Sequence, residues 1–333
     1  MSVVCLAGKN NIAVDCLAYL ISLKRPDLEL CFLSCKEDDG VDTWQRSFRK
    51  FSLERKVPQV SIEEIRKIGD LKLFSLQYSE IFDPESFSSR ELFNIHFSAL
   101  PKYRGVYTST WPILNGDTTS GVTLHRIDRG IDSGPIIDQL LFEIDSNDTA
   151  RDLYDRYLIN GYAIFKKNVN RILDKNYSVA PQEKGIYRYN SIKSIDFSRN
   201  NIDTSNPASV VRNMVRAFAF RGYQMPKFGG WSIYKADILA VQSDRLPGTI
   251  IHEDKFCFIV STEDKNVRLF KDYYEEFWLN CHSGNLTRLV EIVSLLPDIN
   301  LRNSSGSNGI MLASQAGRLE CVDFLYSLGA RLG

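Results

Sequence analysis

The sequence predicts an α/β fold with a largely parallel sheet, followed by a small antiparallel β unit and a helical repeat tail. Three observations carry this. Short apolar runs alternate with helical apolar spacing through the first half of the 333 residues. From Trp231 the pattern turns to short runs broken by Pro247-Gly248 and by residues 263–266, as in an antiparallel unit. In the tail, Ser283-Gly284-Asn285-Leu286 returns as Ala316-Gly317-Arg318-Leu319, 33 positions later.

Residues 3–7 form a short apolar run closed by Gly8, which suits a buried strand. Ile12, Val14, Leu17, Leu20 and Ile21 place a helix after it. The turn Gly8-Lys9-Asn10-Asn11 is not a dinucleotide fingerprint, but a helix N-terminus there suits an anion. A second strand is expected at 28–33, helices at 43–51 and 62–68, a third strand at 71–76 and a fourth at 93–97. Ligands gather at the carboxyl ends of such strands. A long helix is expected at 147–174, with Ser146, Asn147 and Asp148 as candidate caps. Leu153, Tyr157, Ile164, Val169 and Leu173 form its apolar side. Residues 181–190 read as a loop. A helix at 209–220 places Val211, Met214, Val215 and Phe218 on one side and Arg212 and Arg216 on the other.

Strands at 231–239, 248–251, 255–260 and 267–270 make the β unit, whose edge suits pairing with a second subunit. In the tail, Leu289 matches Val322, Ile292 matches Leu325, and Leu295 matches Leu328 at the same offset. A period of about 33 with paired short helices is that of ankyrin repeats, and residues 310–333 resemble one. Only two repeats are visible, whereas stacks usually need about three or more. The tail is therefore expected to pack against the rest of the chain.

Lys+Arg and Asp+Glu both number 41. Zero formal charge gives no field for wrapping a polyanion such as tRNA, though a local basic pocket stays open. The N-terminus MSVVCLAGKN lacks the pattern of a signal peptide, and no apolar run reaches membrane-spanning length. Seven scattered cysteines and four histidines, without ligand spacing, predict no metal site. Reduced cysteines in a cytoplasmic protein are expected. No Walker sequence supports an NTPase.

The chemistry concentrates in Asn94-Ile95-His96-Phe97-Ser98-Ala99-Leu100-Pro101-Lys102-Tyr103-Arg104-Gly105. On a strand Asn94 and His96 share a face, setting an amide beside an imidazole. Downstream, residues 121–134 place Asp132 in a Gly-flanked loop able to face the same pocket. Asn, His and Asp suit acyl transfer to an amine. The amine must lose a proton, and an imidazole titrates near neutrality. The carbonyl oxygen gains charge, which fixed donors stabilise. A carboxylate orients the imidazole. His125 is a competing imidazole, sharing a face with Thr123 on an expected strand and read as structural.

Together these segments resemble the folate-dependent formyltransferases. The resemblance runs through Asn94-x-His96-x-Ser98, Leu100-Pro101-x-Tyr103-Arg104-Gly105, Trp111-Pro112-Ile113-Leu114-Asn115-Gly116, Gly121-Val122-Thr123 and Ile131-Asp132-Ser133-Gly134. It covers about residues 1–190 and implies a Rossmann-like, mostly parallel catalytic domain. It also implies a catalytic trio of Asn94, His96 and Asp132, with N10-formyltetrahydrofolate as formyl donor. The pterin is then expected at Leu76, Gln77, Tyr78, Ser79 and Ile81 and at Asp128 and Ile131, chiefly through backbone.

Residues 185–196 and 216–223 resemble the sugar N-formyltransferases, in which this region holds a dTDP-linked amino sugar. Gly185-Ile186-Tyr187 and Arg221-Gly222-Tyr223 carry much of that likeness. Phe220 or Tyr223 is suited to stack on thymine, and Arg212 or Arg216 to neutralise a pyrophosphate. Lys9, Asn10, Ser98, Tyr103, Arg104 and Tyr187 complete the expected substrate set. The ankyrin-like tail resembles a subgroup acting on 3-amino-3,6-dideoxyhexoses, which implies a 3-amino rather than a 4-amino acceptor. O-antigen or other surface polysaccharide synthesis is the implied setting. The expected domains are 1–200 (catalytic), 201–272 (helix plus β-hairpins, a nucleotide contact and possible dimerisation element) and 273–333 (ankyrin-like). A homodimer is expected, with no nucleic-acid or membrane partner. Two alternatives stay open: Met-tRNA formylation, though its usual Arg-Trp-Arg-Gly turn here reads Lys102-Tyr103-Arg104-Gly105, and a non-catalytic ankyrin interaction protein on this scaffold.

Overall fold

The apolar run that opens the chain forms a central strand, β1 (Ser2–Gly8), buried from Val4 onward. The computed structural model describes residues 2–183, 185, 187 and 189–332; Ile186, of the expected sugar motif, and Gly333, ending the expected repeat, lie outside them. The chain makes two compact units.

The first unit comprises 1–112, 117–146 and 152–195. Its strands are β1, β2 (Leu28–Ser34), β3 (Leu71–Leu76), β4 (Glu91–His96), β5 (Arg104–Gly105), β6 (Thr119–Arg126), β7 (Ile136–Glu143) and β8 (Tyr189–Asn190). Six of them form one sheet in the order β2-β1-β3-β4-β6-β7. The first four run parallel, while β6 and β7 are antiparallel. The β6–β7 hairpin follows from the connection at 127–135, too short for the crossover of about a dozen residues that parallel neighbours need. β5 and β8 pair in parallel as a separate ribbon.

Five helices accompany these strands: α1 (Asn10–Ser22), α2 (Phe48–Glu54), α3 (Ile62–Arg66), α4 (Trp111–Leu114) and α5 (Ala150–Leu173). α2 starts later than residue 43 because Ser47 caps it. The Ser47 hydroxyl accepts from the Lys50 amide at 3.0 Å, and Asp42 accepts from the Ser47 amide at 2.8 Å. In α5, Leu153, Tyr157, Ile164, Phe165, Val169 and Ile172 are fully buried. Phe165 meets Phe74 of β3 edge-on, and Tyr157 stacks on Phe97 just beyond β4. Burial of each such side chain contributes about 1.5–3 kcal/mol and fixes the sheet's carboxyl ends, where the site lies.

The second unit holds 113–116, 147–151 and 196–333. α6 (Ala208–Phe218) covers a five-stranded antiparallel sheet. Its strands are β9 (Lys227–Phe228), β10 (Trp231–Gln242), β11 (Ile250–Glu253), β12 (Cys257–Ser261) and β13 (Lys265–Lys271), ordered β11-β12-β13-β10-β9. Val211, Val215, Ile233, Phe258 and Leu269 fill the space between. Four helices follow: α7 (Tyr274–Ser283), α8 (Leu286–Ile292), α9 (Gly309–Gln315) and α10 (Leu319–Ser327). Gly284 (φ +86°) and Gly317 (φ +68°) make the left-handed turns between the members of each pair. Trp231 of β10 packs on the helices' core of Phe277, Leu289, Ile310 and Leu325, so residues 201–272 and 273–333 share one unit. No helix of the described residues is long and apolar enough to cross a membrane.

Candidate active site

The site is built at the end of β4 and across the ladder from it. In the antiparallel register of β4 with β6, Asn94 stands opposite His125 and His96 opposite Thr123. Side chains directly opposite in such a pair are close neighbours, so Asn-x-His of one strand meets Thr-x-His of the other. Asp132 reaches the same place from the loop after β6, in the left-handed region at φ +51°, which Asp tolerates better than most residues.

The polar contacts fix the protonation pattern. His96 Nε2 lies 2.9 Å from the Tyr103 carbonyl, which only accepts, so Nε2 carries hydrogen. Its Nδ1 lies 3.4 Å from Asp132 Oδ1. His125 Nδ1 lies 2.8 Å from the Arg126 carbonyl and donates to it, so in the neutral ring Nε2, 3.6 Å from Asp132 Oδ1, is an acceptor. Asn94 Nδ2 donates to Asp132 Oδ1 at 3.2 Å and meets His125 Nε2 at 3.1 Å. A flipped amide would set its oxygen against the carboxylate, so the nitrogen belongs on this side. Asp132 Oδ2 accepts the Gly105 amide at 2.8 Å. Burial alone would raise the Asp132 carboxyl, but His96, His125 and the Gly105 N–H outweigh it and hold it far below the usual carboxylate range. Burial pushes the His96 imidazole below its ordinary value, against the opposing pull of Asp132 and the Tyr103 carbonyl. Near neutral pH the pair is therefore a neutral imidazole beside a carboxylate.

The turn after β4 braces this group. Gly105, at φ +92°, has no room for a side chain: a Cβ would stand 2.1 Å from the Asn190 carbonyl oxygen. Tyr103, at φ +57°, donates its hydroxyl to Asp117 at 2.7 Å. Ser98 is fully buried, and its hydroxyl donates to the Lys102 carbonyl at 2.7 Å. Thr123 donates to the Ser98 carbonyl and accepts the Leu100 amide. Ser98 thus builds the turn rather than facing a ligand. Arg104 donates to Gln182 Oε1 at 2.6 Å and lies over the Tyr187 ring. Gln182 in turn donates to the carbonyls of Asp132 and Gly134 at 2.8 and 2.9 Å, pinning the loop from behind. A cavity of about 520 Å³, lined by Arg104, Ser133, Gln182, Glu183 and Tyr187 among others, opens beside this loop rather than over the trio.

The remaining expected residues fall into three groups. At the ends of β1 and β3, Gln77 (φ +59°) and Asn10 (φ +63°) share a network with Tyr154, whose hydroxyl donates to Gln77 at 2.8 Å. Gln45 donates to that hydroxyl at 2.9 Å; the sequence singled out neither Gln45 nor Tyr154, whose convergence is a tertiary fact. The Lys9 amide donates to the Leu76 carbonyl, and the Leu76 side chain is fully buried.

Along the adjacent loops, Tyr78 stacks flat on Phe82, and burial pushes its hydroxyl up to about 12. Ser79 donates to Glu37, Ile81 is 77% exposed, and Ile131 is half-buried. Asp128 accepts from Ser133 and from the Gly130 amide.

In the second unit, Arg212 donates to Asn147, and Arg216 to the Asp148 carbonyl and to Asn213. Phe220 is buried and meets Tyr223 edge-on, while Tyr223 is 65% exposed and the better placed of the two for stacking. No group of three or more His, Cys, Asp or Glu among the described residues could hold a metal ion.

Residues 77–169 match the family described as formyl transferase. An N-formyltransferase from Helicobacter canadensis, solved with folinic acid and dTDP-3-aminofucose, is 38% identical, with a TM-score of 0.74 over 82% of this chain and 100% of that one. WlaRD, a sugar 3N-formyl transferase solved with dTDP and 5-N-formyl-THF, is 41% identical, with a TM-score of 0.73 over 81% of this chain and 98% of that one. A methionyl-tRNA formyltransferase of Alkaliphilus oremlandii is 32% identical over 51% of this chain; the match spans about half the length of that relative, 54%.

Proposed function

The chain belongs to the N-formyltransferase family, and we propose that it moves a formyl group from N10-formyltetrahydrofolate to the primary amine of a dTDP-linked 3-amino-dideoxyhexose. The observation that carries this is the meeting of Asn94, His96 and Asp132 around one carboxylate oxygen at a strand end. The 3-amino acceptor is supported by the two similar structures, one bound to dTDP-3-aminofucose and the other a sugar 3N-formyl transferase.

The residues fit a reduced folate. Ile81 offers an exposed apolar side chain beside the strand-end backbone of Gln77 to Ser79, and Ile131 lies on the loop that carries Asp132. When bound, the folate supplies an activated formyl carbon. The amine that attacks this carbon must shed a proton. His96 takes it at Nδ1, since Nε2–H is committed to Tyr103, and would return it to the folate nitrogen whose bond to the formyl carbon breaks. Both ring nitrogens then face acceptors, so the site is complementary to the imidazolium, and Asp132 balances its charge. Asn94 donates one N–H to the oxygen on which charge develops, an interaction typically worth about 3–4 kcal/mol. Arg104 and Gln182 hold the Asp132 loop, and Tyr187 walls the neighbouring cavity on the acceptor side.

The C-terminal helices are read as ankyrin-like repeats. α8 and α10 begin 33 residues apart, each after a left-handed glycine. The exposed edge strand β11, with Ile250 and Ile251 open, suits pairing in a homodimer. The test is a formylation assay over dTDP-3-amino and dTDP-4-amino sugars, read by mass shift, with a gel shift against initiator tRNA. Turnover of a 3-amino sugar without tRNA binding is expected. A tRNA shift with no sugar turnover overturns the reading.

A further inference from the structure

The reaction proposed above needs Asn94 to present nitrogen, not oxygen, to the reacting carbonyl. An amide's two ends are nearly the same shape, so packing alone does not choose between them. Two acceptors make the choice here. One is Asp132 Oδ1. The other is His125 Nε2, 3.1 Å from Asn94 Nδ2.

His125 serves this purpose because its own tautomer is set. Its Nδ1 donates to the Arg126 carbonyl at 2.8 Å, so in the neutral ring Nε2 keeps its lone pair, 3.1 Å from Asn94 Nδ2 and 3.6 Å from Asp132 Oδ1. The ring is buried, at 2% exposure, so water does not substitute for it. The ladder register holds it directly opposite Asn94. In the free enzyme it therefore keeps an amide N–H aligned, and exchanging that bond for one to the substrate's oxygen requires no rotation of the amide.

We infer that His125 is a positioning residue for formyl transfer, orienting the Asn94 amide by accepting its N–H at Nε2. This rests on the reading of Asn94 as the oxygen's donor, and the experiments separate the two.

The first measurement uses the wild-type chain: ¹⁵N NMR of the imidazoles near neutral pH. His125 is expected as the Nδ1–H tautomer. Finding hydrogen on Nε2 overturns the inference, whatever the enzyme's activity. The second is a double-mutant cycle of Asn94→Ala and His125→Ala, read as kcat and KM for the amino sugar. His125→Ala alone is expected to lower kcat about 10- to 100-fold, less than the ~10²–10³ lost with an outright oxyanion donor. KM should stay within about twofold, and the variant should have little further effect once Asn94 is alanine, as for residues acting as one unit. His125→Gln, whose carbonyl can accept the same N–H, is expected to recover much of the loss. Additive losses, or a glutamine variant as poor as alanine, would mean that His125 only fills the core. A wild-type tautomer as expected with no effect of Asn94→Ala would instead remove the donor role of Asn94.

Discussion

Replacing Asp132 by Asn removes a charge and, with the amide oxygen kept on Gly105, the acceptor that Asn94 Nδ2 uses, at little cost in shape. The site is left-handed at φ +51°, where Asn is as comfortable as Asp. The new amide oxygen can still accept the Gly105 N–H now bonded at 2.8 Å. What goes is the attraction between a carboxylate and the imidazolium that forms on His96, with Nδ1 at 3.4 Å. At an effective dielectric of about 20, two unit charges at that distance attract by about 5 kcal/mol. Only part of the proton has moved at the transition state, so about 3–4 kcal/mol is at stake, or a fall in kcat of roughly 10²–10³. The assay is kcat for a dTDP-3-amino sugar at saturating formyl donor, measured across pH 5–9. Since Asp132 also supports the protonated ring, its loss moves the His96 titration further down, so raising the pH does not rescue the variant. A kcat for Asp132→Asn within about threefold of wild type would refute the ion-pair argument.

His96 should also govern stability in mild acid. Its folded value lies below the ordinary one, so below about pH 6.5 the unfolded chain takes a proton that the buried ring refuses. Stability then falls with pH, by at most about 1.4 kcal/mol per unit from this group; melting curves of His96→Asn should lack that component, and parallel slopes would count against it. Asp132, with its depressed value, contributes above about pH 3.9 and loses its effect as pH falls through its folded value, a limb that the same titration resolves at lower pH. Gly105→Ala should lower Tm and cut kcat at least about 10-fold, because the added carbon displaces the chain that supplies Asp132's N–H donor; circular-dichroism melts alongside turnover check this. Ser98→Ala should cost about 1–3 kcal/mol by leaving the Lys102 carbonyl unpaired, with KM for the sugar unchanged; a raised KM at unaltered Tm would return Ser98 to the substrate.

The pairing of Asn94 with His96 was legible because strand alternation is a local rule, and Gly105 because its turn is spelled out in sequence. Two helix ends were legible for the same reason: Gly284 and Gly317, both left-handed, follow α7 and α9. Strand direction was not. The short 127–135 connection marks β6 and β7 as antiparallel to each other, but the 97–118 connection is long enough for a crossover and leaves the direction of β6 against β4 open. The start of α2 was missed because Ser47 competes with Thr43 as a cap, and the outcome rests on Asp42 folding back to the Ser47 amide. Gln45 and Tyr154 join the Asn10–Gln77 network across more than 100 residues of chain, a contact without a local signature.

The change of strand direction explains why a second imidazole reaches the site at all. β4 runs parallel to β3 and antiparallel to β6, so it is the strand across which the sheet changes hydrogen-bonding pattern. A parallel neighbour is linked by slanted bonds and reaches this strand only after a crossover. An antiparallel neighbour runs back past the same strand, setting Asn94 opposite His125 and His96 opposite Thr123. Its connecting loop leaves beside Leu92, towards the amino end of β4, and folds back to carry Asp132 into the group. Two residues from one strand, one from the returning strand and one from the loop beyond it thereby meet within hydrogen-bonding distance. Reversing β6 would remove His125 and Asp132 together, so the reversal that sequence periodicity does not reveal is the feature on which the electrostatics of His96 depend.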